Sequence, residues 1–123
     1  MQFIKSVAAA AAAVGLAAGL VVATAPASAA ASGCWYNGSH WWCNNVSGAA
    51  VYEPAPTNGV PHADVVVGHM YSNPSWFVCY REDGPYVGGP HPYRWVFTKA
   101  DNGVWGYMKD TSIYSETNPL PVC

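Results

Sequence analysis

Trp76-Phe77-Val78-Cys79-Tyr80-Arg81, then Arg94-Trp95-Val96-Phe97-Thr98-Lys99, then Val104-Trp105-Gly106-Tyr107-Met108 are the three runs that decide the fold. Each is rich in aromatic and β-branched residues, which suit a pleated, half-buried surface, and each is bounded within two residues on either side by Gly, Pro or Asp. Side chains alternate faces along a strand. Trp76, Val78 and Tyr80 therefore oppose Phe77, Cys79 and Arg81. In the second run Arg94, Val96 and Thr98 oppose Trp95, Phe97 and Lys99. In the third, Val104, Gly106 and Met108 oppose Trp105 and Tyr107. A glycine inside such a run, as at Gly106, marks a bend or bulge.

Working outward, similar short runs lie at 35–36, 41–43, 50–52 and 65–71, separated by breakers at 44–48, 54–61, 72–74, 83–92 and 100–103. Past the N-terminal segment, no window of eleven residues keeps a 3.6-residue apolar period without a Gly or Pro interruption. Seven short strands without a crossover helix exclude a parallel sheet. They predict an all-β protein, a small antiparallel barrel.

The N-terminus reads differently. Lys5 precedes an uninterrupted Ala, Val, Leu and Gly run at 7–22, and Ala27-Ser28-Ala29 follows as a small-residue cleavage site. That order is the pattern of a secretory signal peptide over residues 1–29. A helix over 7–22 would span only ~24 Å, short of a ~30 Å hydrocarbon core, which argues against a retained anchor. A lipoprotein signal ending at Cys34 fits poorly, because eleven residues, 23–33, separate that cysteine from Val22.

Cys34, Cys43, Cys79 and Cys123 all follow the leader, and four cysteines in a small exported chain predict two disulfides among three pairings. If residues 37–40 form a four-residue hairpin loop, Tyr36 faces Trp41, Trp35 faces Trp42 and Cys34 faces Cys43, within disulfide reach. A two-residue Asn37-Gly38 turn would instead set Cys34 against Trp41. The first choice leaves Cys79 for Cys123. Chain entropy assigns about 2.7 kcal/mol to the short loop and about 4 kcal/mol to the long one. The thiols are then structural. The division that follows is a leader at 1–29, a hairpin extension at 30–49 and a barrel at 50–123.

The 123 residues carry a net charge of −2 with 10% charged residues, and Lys5 departs with the leader. A mildly acidic surface of this size excludes electrostatic binding of nucleic acid or anionic lipid. After leader removal no membrane association is expected, and a monomer is. Trp 6, Tyr 8 and Phe 3 make the chain aromatic-dense.

The order Val51-Tyr52-x-Pro54, Val65-Val66-Val67-Gly68, Trp76-Phe77-x-Cys79, Arg94-Trp95, Asp101-Asn102-Gly103-Val104-Trp105-Gly106-Tyr107 and Ile113-Tyr114 resembles the bacterial SH3-like domain in its secreted, single-domain actinobacterial form. The resemblance covers about residues 50–123. It implies a five- or six-stranded SH3-like barrel that binds peptide or cell-wall material without catalysis. It also places Tyr52, Trp95 and Tyr114 in the family's aromatic peptide groove. Pro54-Ala55-Pro56 and Met108-Lys109 depart from the family's turn chemistry.

Catalytic motifs are not legible. Oxidised cysteines leave no thiol nucleophile, Gly-x-Ser-x-Gly is missing, and Glu53, Asp64, Glu82, Asp83, Asp101, Asp110 and Glu116 mostly neighbour turn residues. His40, His62, His69 and His91 lack ligand spacing, so neither metal nor cofactor is expected. Asn37-Gly38-Ser39 and Asn45-Val46-Ser47 match the N-glycosylation pattern but read as turns. The most suggestive stretch is Tyr86-Val87-Gly88-Gly89-Pro90-His91-Pro92-Tyr93-Arg94-Trp95: its Tyr93, Arg94 and Trp95 are residue types that dominate interfaces, while the competing reading makes Tyr93 and Trp95 core or barrel-lip residues on a loop that is merely long. Trp35, Tyr36, Trp41 and Trp42 pose the same choice between packing and contact. The functional expectation is a secreted, non-catalytic binding module for peptide or peptidoglycan, with ligand contacts at Tyr52, Tyr93, Arg94, Trp95 and Tyr114. The alternative is an inhibitor of a secreted hydrolase, an amylase or a protease.

Overall fold

The computed structural model describes residues 32–123, so the predicted leader lies outside the described residues. The strands are β1 (Trp35–Tyr36), β2 (Trp41–Cys43), β3 (Ala49–Pro54), β4 (Pro61–Met70), β5 (Ser75–Arg81), β6 (Trp95–Lys99) and β7 (Trp105–Lys109). A 3-10 turn, Asp110–Ser112, follows β7. All seven strands join one antiparallel sheet in the order β1-β2-β5-β6-β7-β3-β4.

The first hairpin takes the four-residue loop, with Trp35 opposite Trp42 and Tyr36 opposite Trp41. Asn37 Oδ1 accepts the backbone N–H of Ser39 and of His40, which holds the loop at that length. Cys34 bonds Cys43, and Cys79 bonds Cys123.

The predicted barrel does not close. Closure of β3–β7 would need β4 to pair with β5, but β2 occupies that side of β5 with Trp41 opposite Phe77, Trp42 opposite Trp76 and Cys43 opposite Ser75. The hairpin extension thus belongs to the sheet, and β1 and β4 are its two edges. The C-terminal segment is sewn to the sheet at two places. Cys34 donates its N–H to Glu116 O (2.9 Å), and Tyr80 donates to Pro121 O (3.0 Å) while accepting from Cys123 N (2.8 Å).

Two details of β5 and β7 set the faces. A register shift between Phe77 and Cys79 breaks the predicted alternation in β5. Phe77 pairs with buried Thr98 and Tyr80 with buried Val96, whereas Cys79 pairs with Phe97 and Arg81 with Trp95. Phe77 and Tyr80 therefore share the inner face. Gly106 does not mark a bulge in β6–β7 pairing, which runs unbroken past it. A Cβ there would lie 2.4 Å from Tyr52 O and 2.8 Å from Val51 Cγ1, so the glycine lets β3 lie close against β7.

Inside, Val51, Met70, Phe77, Val96, Met108, Ile113 and Leu120 form the core with Cys34 and Cys43. Fully burying side chains of this size contributes about 1.5–3 kcal/mol each. Buried Asn45 ties the segment after β2 to the β4–β5 turn, taking Asn73 Oδ1 at its N–H and donating Nδ2 to Val46 O and Ser72 O. The opposite face of the sheet carries rings, and it positions the candidate site.

Candidate functional site

The connection from β5 to β6, residues 82–94, is long and held at every turn. Gly88 and Gly89 take φ of +85° and +73°, values that side-chain-bearing residues rarely adopt. The backbone closes on itself through Val87 N to Pro92 O (2.7 Å) and Arg94 N to His91 O (3.0 Å). At its base Arg81 grips Asp83 with two hydrogen bonds (2.6 and 2.7 Å) and reaches Gly59 O (2.8 Å). The bond to Asp83 raises the Arg81 pKa, and the same bond holds the Asp83 carboxyl below the usual carboxylate range.

Arg94 is the internal strut of this loop. Its guanidinium donates to Glu82 Oε2 (2.9 Å), Thr117 Oγ1 (3.0 Å) and Asn118 Oδ1 (2.9 Å), and it lies 3.9 Å over the Tyr80 ring. His91 Nε2 meets Glu116 Oε2 at 2.8 Å. Burial alone would raise the Glu116 pKa, but the His91 bond, the Asn118 N–H and the Arg94 charge outweigh it and lower it. Nearby Asp110 goes the other way, raised chiefly by burial despite the hydroxyl of Thr117.

This frame leaves two rings outside. Tyr86 is 72% exposed and Tyr93 51%, and they meet edge to face with centroids 5.8 Å apart. A second set of rings lies on the outer face of the sheet. His40 packs on Trp76 (4.3 Å), Trp76 on Trp105 (5.6 Å), Trp105 on Phe97 (5.3 Å) and Phe97 on Tyr107 (5.0 Å).

The structure separates the residues singled out from sequence. Trp95 is fully buried and Arg94 nearly so, both beneath the loop rather than on its surface. The reason for Trp95 is the loop itself: Gly84 packs on the indole and Pro85 O accepts its Nε1–H at 2.9 Å. Tyr52 is half-buried against Trp95, rings perpendicular at 5.4 Å, with Lys109 Nζ 5.4 Å from its centroid. Tyr114 is exposed in a shallow hollow with Ser32, Asn44 and Ser115. It makes no ring contact with Tyr52 or Trp95 among the described residues, so the three do not line one groove of exposed rings. Tyr93 is exposed, and Tyr86 joins it.

Sequence reasoning missed the Trp76–Trp105 cluster as a surface. Its signal was present in Trp105 and Lys99, both on the outward side of their strands. Among the described residues, no three His, Cys, Asp or Glu side chains gather as metal ligands, and no helix is long and apolar enough to cross a membrane. Compared with known proteins, the chain matches no family model, no curated protein and no solved structure.

Proposed function

We propose that this chain is a secreted, non-catalytic binding module that takes a peptide or the peptide part of peptidoglycan on its 82–94 loop. The observation that carries the reading is the exposed Tyr86–Tyr93 pair on a loop whose backbone is fixed from beneath by Arg81, Arg94 and Trp95. Tyrosines supply large contact area at small entropic cost, and a fixed loop loses little freedom on binding. The leader-like N-terminus and two disulfides support export. Five antiparallel strands between Ala49 and Lys109 support an SH3-like relationship, in an open rather than a closed form. The test is depletion of the purified protein from solution by insoluble bacterial cell wall. Tyr86→Ala with Tyr93→Ala is expected to abolish depletion, and wild-type protein that stays in solution at every salt concentration defeats the proposal.

The same preorganised loop favours a second reading, inhibition of an extracellular amylase or protease. Loss of enzyme activity on adding the wild-type protein, restored with Tyr93→Ala, would select it. Arg94→Ala is the poorer probe, since Arg94 lies beneath the loop rather than on it.

A further inference from the structure

The outer face offers a second site, remote in chemistry from the tyrosine loop. Trp35 stands opposite Trp42 on β1 and β2, Trp42 opposite Trp76 on β5, and Lys99 of β6 opposite Trp105 of β7. Five neighbouring strands thus contribute four tryptophans and a lysine to one band running across the sheet. Four inter-strand steps at about 4.8 Å carry it roughly 19 Å. Its ends are open, Trp35 being 43% and Trp105 45% exposed.

Beside the middle of the band is a cleft of about 350 Å³, walled by Trp42, Trp76 and Met70 and edged by Ser72, Lys99 and Asp101. The Lys99 ammonium makes no hydrogen bond or ion pair among the described residues, although its Nζ lies 5.7 Å from the Trp105 centroid. The Trp42 indole N–H, buried at the wall of the cleft, has no acceptor among the described residues. Asp101 is held in place, with Oδ2 accepting Tyr71 N (2.8 Å) and Ser72 N (3.0 Å), and Oδ1 accepting Ser72 Oγ (2.8 Å). That leaves Oδ1 a lone pair for a further donor.

We propose that this band and cleft bind a neutral glycan chain. A pyranose ring has two needs that seldom coincide in other ligands. Its C–H faces pack flat on aromatic rings, and its rim of hydroxyls requires both donors and acceptors at the edge of that packing. The band supplies the rings, Lys99 the donor and Asp101 the acceptor. One cation and one anion at the cleft leave it without net charge, which matches an uncharged ligand and gives nothing to a phosphate or a uronic acid polymer. The length of the band requires several sugars. The direction matters too: the band runs across the strands rather than along an edge, so a peptide laid along it cannot add to the sheet as a further strand.

The test titrates the purified protein with two hexasaccharides, one of N-acetylglucosamine and one of β-linked glucose, following tryptophan emission and heat. Saturable binding of at least one is expected, and the pair distinguishes a chitin-like or wall-glycan source from a glucan one. Trp35→Ala and Trp105→Ala should each weaken it about tenfold or more, as for an anchoring tryptophan. Trp105→Phe should retain most of the affinity. Val66→Thr, on exposed edge strand β4, should change nothing. The tryptophans replaced are surface residues, and unchanged melting temperatures would show the variants folded. Binding of neither saccharide at millimolar concentration overturns the proposal. So does wild-type affinity in both alanine variants, or a proline-rich peptide that binds in a Trp105-dependent way where the saccharides do not.

Discussion

Gly106 and Asp101 show how single positions hold this sheet together. At Gly106 the nearest atom to an added Cβ is the backbone oxygen of Tyr52, which no rotamer change can move. Gly106→Ala must push β3 off β7, and we expect a loss of about 2–3 kcal/mol, in the range of overpacked cores, read as a lower urea midpoint at unchanged slope. Asp101 works by charge. Burial alone would raise its pKa, but the Ser72 hydroxyl and the N–H groups of Tyr71 and Ser72 outweigh that and lower it. A carboxyl lowered on folding stabilises above its unfolded pKa, and that stability is lost as pH falls through the folded value. Asp101→Asn should therefore cost about 0.5–1 kcal/mol at neutral pH, allowing for its exposure. The gap from wild type should close in thermal melts taken below the ordinary carboxylate range. Neither role was legible in sequence. Gly106 could be flagged as unusual, but whether it bends its own strand or admits another depends on β3, more than fifty residues earlier.

Among elements, the strands were legible and the loop was half legible. Aromatic and β-branched runs between breakers placed all seven strands within a few residues, because local pattern and pleat agree there. The face assignment in β5 failed after Phe77 because a register shift leaves no mark in composition. In the 82–94 loop, Gly and Pro announced an unusual backbone, but whether Tyr93 packs or projects was open in the sequence, and the structure exposes it. Arg94 and Trp95 lie buried beneath the loop, and sequence could not separate that place from a contact surface because interface and strut use the same chemistry: bidentate donors and large rings. The distinction is testable. Arg94→Ala removes the donor to Glu82, Thr117 and Asn118 and, because the Glu82 carboxylate left behind is half exposed, should cost about 1.5–3 kcal/mol, the range for hydrogen bonds to a charged group. Any ligand of the Tyr86–Tyr93 pair should then bind more weakly. Calorimetry should show that loss as a larger entropic penalty, with the tyrosine contacts themselves intact.

At the scale of the whole molecule, the two disulfides do different work although both were derivable from spacing. Cys34–Cys43 closes a local hairpin, nine residues apart, that already has its own register and the β2–β5 ladder to hold it. Cys79–Cys123 spans 44 residues and fastens the terminal segment beside β5, where the N–H of Tyr80 and that of Cys123 complete the seam. What spacing could not reveal is that β2 would take the side of β5 needed for closure, since that depends on competition between two distant strands for one edge. An open sheet of this size has a modest core and leans on its cross-links. On chain entropy the short loop contributes about 2.7 kcal/mol and the long one about 4 kcal/mol. At about 4–8 °C per kcal/mol for a domain of this size, Cys34→Ser with Cys43→Ser should lower Tm by roughly 10–20 °C. Cys79→Ser with Cys123→Ser should lower it by roughly 16–32 °C. In the second double variant, hydrogen exchange should quicken first at Tyr80 and Cys123, whose amide bonds form the seam, while the β1–β2 amides keep their protection. Equal losses in the two variants, or faster exchange spread evenly over the sheet, would mean that the C-terminal segment is held by its packing on Leu120 rather than by the bond at its end.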